Sequence, residues 1–375
     1  MEGIHHYFEP YKDSYYKLPN FGKGESLGDN TSFYSGDKEW FLNVKTGVVI
    51  IGVPESRNSI NNSECEKSPN QIRKSLYSLK DISTMQIYDA GDIKGNTIND
   101  RYQALKDVVQ YFLNEDVVII LIGGSHDLTV PIVESVASHS KSMQLVVGDA
   151  LIDAGEENIT SQGWLQELAN KETASSIDVD FFGLQNFLQS DFGLSFLKKY
   201  ESEVLWLGQI LNENINLVEV LLRPADFVSI DYRIVANQPQ WTDDIISPHG
   251  LTPNSACAMS KYAGLSDVLK IYGIFETPNK KADCLLAAQM IWHFITGVNN
   301  RNGDYPFKDI KEYQVYVVPF ADVDINIKFY HNKLNNRWWI GVTIAGENQL
   351  VPCHYHDYLE ALNGTIPDVW IKKNK

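Results

Sequence analysis

From Val48 onward, short apolar runs rich in β-branched residues recur along the chain, at 48–53, 85–89, 117–122, 144–148, 180–184, 203–207, 226–230 and 271–275. Each run is apolar throughout rather than alternating with polar side chains, the pattern of strands covered on both faces, as in a parallel sheet. Longer amphipathic stretches separate them, at 97–114, 128–139, 163–171, 211–222, 255–263 and 281–297. Strand alternating with helix predicts a three-layer α/β/α fold around a mostly parallel sheet of about eight strands. Ligands of such sheets sit beyond the carboxyl ends of the strands.

The ends of the chain differ from this middle. Residues 1–45, rich in Tyr, Phe, Gly and Asn, have weak periodicity and predict an irregular arm laid over the surface or over a neighbouring subunit. After Asn300 the runs YQVYVVPF, IKFYHNK and RWWIGVTI, the last two separated by LNN, predict strands that include a β-hairpin. The expected organisation is therefore an arm (1–45), a core (46–300) and a C-terminal extension packed on the core (301–375).

A formal net charge of -16 repels phosphate backbones and anionic lipid, so neither nucleic acid nor a membrane surface is an expected partner. Cys65, Cys257, Cys284 and Cys353 form no C-x-x-C pair, which argues against a disulfide framework or a structural zinc site. The N-terminus lacks the apolar stretch of a signal peptide, and Val117–Ile122, the longest apolar run, is too short to cross a bilayer. The expected compartment is the cytoplasm.

Three strands run directly into polar residues. Leu121-Ile-Gly-Gly-Ser-His126-Asp127 places a His after a pair of glycines, and Leu145-Val-Val-Gly-Asp149-Ala-Leu151-Ile-Asp153 ends in carboxylates four apart. Phe227-Val-Ser229-Ile-Asp231-Tyr-Arg233 carries a third acid. Taken singly, each acid reads as a helix cap or turn residue, and a lone His as structural. Cys353-His354-Tyr-His356-Asp357 has donors enough for a metal but no standard zinc spacing, which favours a surface or interface role.

Taken together and in chain order, the three segments resemble the ureohydrolase motifs of arginases, agmatinases and formiminoglutamases: G-G-D-H, D-A-H-x-D and S-x-D-x-D. Gly183-Leu-Gln185, His249-Gly-Leu251 and Phe275-Glu276-Thr-Pro278 resemble secondary motifs, and the Tyr- and Trp-rich tail is closest to the formiminoglutamase-like branch. The resemblance spans roughly residues 45–300. It implies a hydrolase in which two Mn²⁺ ions activate water against a guanidinium or formimino carbon.

Carried over position by position, the resemblance makes His126, Asp149, Asp153 and Asp231 the ligands of a first metal and Glu276 a substrate-contacting acid. Two ligands of the second metal are missing. Leu151 stands where the family has His, and Arg233, a permanent cation, where it has Asp. Arg233 is expected to take the seat of that ion and bond Asp149 and Asp231. Ser125 replaces an Asp that supports the first motif, and the loop after Asp153 lacks the family's proton-transfer His, with Glu156 or Glu157 the substitutes at hand.

The expectation is one divalent metal at most, Mn²⁺ foremost, or none. Two readings stay open: an inactive family member kept for binding a small amidine or amino-acid-like ligand or a protein partner, and an active one-metal hydrolase of a formimino or guanidino C–N bond. A homo-oligomer is implied by the family.

Overall fold

The structure is a computed structural model that describes residues 3–15, 18–140, 142–155, 159–171, 176–211, 215–236, 248–303, 313–344 and 346–374. All eight apolar runs become strands of one sheet: β3 (Thr46–Val53), β4 (Ile87–Ile93), β5 (Asp116–Gly123), β6 (Met143–Gly148), β7 (Ile177–Phe182), β8 (Val204–Leu205), β9 (Phe227–Asp231) and β10 (Ile271–Phe275). They lie in the order β4-β3-β5-β10-β9-β6-β7-β8, every neighbouring pair parallel.

Successive residues of β3 feed opposite layers. Val49, Ile51 and Val53 pack with the helices Ile98–Leu113, Thr129–His139 and Trp164–Ala169; Val48 and Ile50 pack with Ser68–Leu76, Asn216–Leu222, Pro253–Gly264 and Lys281–Asn299. Burial on both faces is why these strands read as unbroken apolar runs.

The N-terminal arm differs from expectation. It adds β1 (Phe8–Glu9) and β2 (Thr31–Phe33), which lie along the outer edge of β4: β2 is parallel to Ile87–Asp89, and β1 is antiparallel to Asp92 and Ile93. The arm thus covers the sheet edge and buries its own Phe8, Tyr34 and Phe41 against the core. The C-terminal strands also exceed a hairpin. β11 (Tyr313–Phe320), β12 (Ile325–Asn332), β13 (Arg337–Ile344) and β14 (Glu347–Cys353) form a separate antiparallel sheet in chain order. Among the described residues no helix is long and apolar enough to cross a membrane.

Candidate metal centre

Four adjacent central strands end at the same place. β5, β10, β9 and β6 deliver His126, Glu276, Asp231 and Asp149 to one carboxyl edge, and Asp153 follows from the turn after β6. His126 arrives through a tight exit. A Cβ on Gly124 would stand 1.7 Å from the Glu55 carbonyl oxygen, so only glycine lets the chain pass beneath the loop after β3. His126 then opens the short turn His126–Leu128 that leads into the helix Thr129–His139.

His126 Nε2 is tied to Ser229 Oγ at 3.0 Å, which turns Nδ1 toward the carboxylates: 2.8 Å to Asp153 Oδ2, 3.4 Å to Asp231 Oδ2 and 3.5 Å to Asp149 Oδ2. Asp153 Oδ2 also accepts the Trp164 indole N–H at 3.0 Å. Asp149 Oδ1 accepts the backbone N–H groups of Ala150 and Leu151, at 2.6 and 3.2 Å.

Asp231 closes the turn after β9 by accepting the Arg233 backbone N–H at 2.7 Å, and that turn sends the Arg233 side chain back over the cluster. Its Nη2 reaches all three aspartates, at 2.7 Å from Asp231 Oδ2, 2.9 Å from Asp153 Oδ1 and 3.3 Å from Asp149 Oδ2. Asp231 Oδ2, although that close, accepts no aligned hydrogen bond among the described residues. Leu151 brings no donor to the group.

Burial and charge pull the acids apart. Burial pushes Asp149 well above the usual carboxylate range, with Arg233 working against it. Burial acts on Asp231 in the same sense, but Arg233 and His126 hold it below that range. Burial disfavours the His126 imidazolium, yet the Asp149, Asp153 and Asp231 carboxyls beside it outweigh that and raise His126 well above its ordinary value. The three carboxyls thus face two cationic groups of the chain itself, Arg233 and His126, which offset their charge.

Glu276 stands beside this group. Its backbone has φ of 54°, the left-handed region a non-glycine residue seldom occupies. Its Oε1 accepts the His126 N–H at 3.2 Å, and its Oε2 accepts Ser59 Oγ–H at 2.8 Å and the Asn62 amide at 3.1 Å. Burial, with the Asp231 charge adding to it, pushes its carboxyl up to about 7.

One divalent ion fits this donor set: an imidazole nitrogen and three carboxylates converge with their ligand atoms within 4.8 Å of one another, a mixture that suits Mn²⁺. Arg233 stands over the same oxygens and must yield to such an ion. Beside these oxygens Leu151 offers only methyl groups and Arg233 a positive charge, neither of which can ligate an ion.

The profile of the arginase family matches residues 46–232, a span that takes in all three polar strand ends. The chain belongs to the arginase family. Solved arginase-family structures share its fold. A formiminoglutamase from Trypanosoma cruzi crystallised with Mn²⁺ superposes with a TM-score of 0.61 at 18% identity, covering 68% of this chain and 95% of that one. Formimidoylglutamase from Bacillus subtilis gives 0.66 at 20% identity (77% and 95%), and arginase from Bacillus subtilis 0.56 at 15% (69% and 100%). No curated protein matches the chain in sequence.

The secondary motifs meet as well. The Gln185 side chain donates to the His249 carbonyl at 2.7 Å, joining the segments after β7 and before the helix Pro253–Gly264. Glu156 and Glu157 lie outside the described residues. The Cys353, His354 and His356 side chains do not join the only group of three or more metal-ligating side chains found among the described residues, and Cys353 is buried. Sequence reasoning missed Ser59 and Asn62, which hold Glu276, and Trp164, which holds Asp153. An indole at the start of an amphipathic stretch, beside Leu165 and Leu168, was the available signal for the last, since a buried indole N–H needs an acceptor.

Proposed function

We propose that this chain is a ligand-binding member of the arginase family that no longer carries out two-metal hydrolysis and keeps one divalent ion at most, held by His126, Asp149, Asp153 and Asp231. The observation that carries the reading is Arg233, whose guanidinium lies 2.7–3.3 Å from the three aspartates. Its positive charge does electrostatically what the second ion does elsewhere, without activating water. The family's chemistry needs a proton carrier as well as a nucleophile, and the segment after Asp153, residues 154–163, holds no His.

The expected ligand is a small amidine or amino-acid-like molecule, with Glu276 as its contact, in a cytoplasmic protein. Elemental analysis after Mn²⁺ loading, beside assays of urea, ammonia and formamide release from arginine, agmatine and formiminoglutamate, tests the proposal. Zero or one ion per chain and no turnover are expected; two ions per chain refute it.

The complete set of four ligands, with His126 Nδ1 facing the carboxylates, favours a second reading: a one-metal hydrolase of a formimino or guanidino C–N bond. A bound ion supplies Lewis acidity there. Robust turnover that disappears in Asp231→Ala would establish this reading over the first.

A further inference from the structure

The C-terminal sheet meets the core at a cavity of about 510 Å³, the size of a small-metabolite site. One wall is the helix Asn216–Leu222 with Arg223; the other comes from the start of β13 and the chain after β14. Arg223 precedes the amino end of β9, whose carboxyl end carries Asp231, so this cavity and the aspartate cluster lie at opposite ends of the sheet. The second wall lies beyond the residues matched by the arginase profile.

We propose that this cavity binds a small metabolite through an oxyanionic group, a carboxylate or a phosphate. Its lining is rich in donors. Asn216 Oδ1 accepts the Tyr262 hydroxyl at 2.6 Å, and Asn336 Oδ1 accepts His331 Nε2–H at 2.8 Å. Both amide oxygens are engaged, so the NH₂ groups are left, without a partner among the described residues, for a ligand that accepts.

Behind them two buried guanidiniums share one lining carboxylate. Glu219 Oε1 takes Arg223 Nε at 3.0 Å and Arg337 Nε at 3.1 Å, and Asp267 stands 3.7 Å from Arg337 on the far side. Glu219 and Asp267 offset the two arginines, so in a chain of net charge -16 this cavity is locally close to neutral and spares an anion the repulsion it meets elsewhere. Oriented amide donors backed by guanidiniums are the chemistry that recognises carboxylate and phosphate oxygens.

The test is isothermal titration calorimetry on the full chain with inorganic phosphate, adenosine monophosphate, glutamate and, as a neutral control, glucose. The discriminating variant is N216D with N336D. Aspartate keeps the oxygen that Tyr262 and His331 need, and it tolerates the φ of 61° at position 336, so each NH₂ donor is replaced by a carboxylate oxygen that repels an anion.

Binding of phosphate and the nucleotide identifies a phosphate site, and binding of glutamate a carboxylate site. Either should weaken as salt rises, and by roughly tenfold or more in the double variant. If the double variant folds poorly, N302D on the exposed rim asks the same question with one change. No heat from any anion at millimolar concentration, binding of glucose alone, or an anion affinity untouched by the Asn→Asp changes overturns the proposal.

Discussion

Replacing Arg233 by methionine keeps much of its volume and removes its charge from a group of three carboxyls that are almost wholly buried. Breaking a buried ion pair by deleting one partner costs about 3–5 kcal/mol. For 375 residues, at about 2.1 cal/mol/K of unfolding entropy per residue, that corresponds to a fall in Tm of about 4–6 °C. Proton uptake by Asp149, already pushed up by burial, puts the result toward the lower end.

The assay is calorimetric melting of wild type and Arg233→Met, in EDTA and in Mn²⁺. In EDTA the variant should melt lower by that amount. A divalent ion no longer has to displace a guanidinium, so Mn²⁺ at a hundredfold its Kd should return about 2.7 kcal/mol, or ~3 °C. The wild type should respond less.

The gap should also depend on pH. Burial raises Asp231, but Arg233 and His126 hold it below its ordinary value of 3.8, so its stabilising contribution is present above that pH and lost as pH falls toward the folded value. Wild type and variant should therefore converge below about pH 4. A variant as stable as wild type in EDTA, and indifferent to Mn²⁺, refutes the view of Arg233 as the counter-charge of the cluster.

Three further outcomes follow from the same geometry. Leu151→His with Arg233→Asp restores both missing ligands and should raise bound Mn²⁺ toward two per chain by elemental analysis; no gain in a folded protein counts against the assignment of positions. Glu276, raised from 4.5 to about 7 chiefly by burial, favours its protonated form in the fold, so stability in EDTA should drop by up to ~3 kcal/mol as pH rises through that window. Glu276→Gln should flatten the decline in chemical denaturation series, and an unchanged slope would mean the acid is better solvated than its surroundings imply. Ser229→Ala releases His126 Nε2 and should weaken Mn²⁺ binding about 10–100-fold. An unaltered Mn²⁺ Kd would show that Ser229 does not orient the imidazole.

The parallel core was legible because its strands are covered on both faces: Val117–Ile122 reads as a strand without help from its neighbours. β1 and β2 were not, since two- and three-residue strands are too short to show a period, and their burial depends on β4. β14 escaped because Glu347–Asn348–Gln349 is exposed and polar at the sheet edge, whereas β12 and β13 are β-branched and aromatic runs joined by the short LNN segment.

At the candidate site, the His and the three acids came from family likeness rather than spacing, for Asp149 and Asp231 are 82 positions apart and meet only through β6 and β9. The reach of Arg233 to Asp153 as well as to the two expected aspartates depends on a turn that Asp231 itself closes. The hold of Ser59 and Asn62 on Glu276 joins loops more than 200 residues apart, and nothing local to either announces it.

The order β5-β10-β9-β6 has a consequence for how the molecule comes into being. During synthesis, β5, β6 and β9 emerge first, yet β5 and β9 touch only through β10, which is made last of the four. Until residue 275 has left the ribosome, two apolar strand edges have no companion and His126 is not yet beside the aspartates. The acids thus wait in a half-built sheet whose open seam is a hazard for aggregation, and chaperone demand should peak while the chain between β9 and β10 is being made.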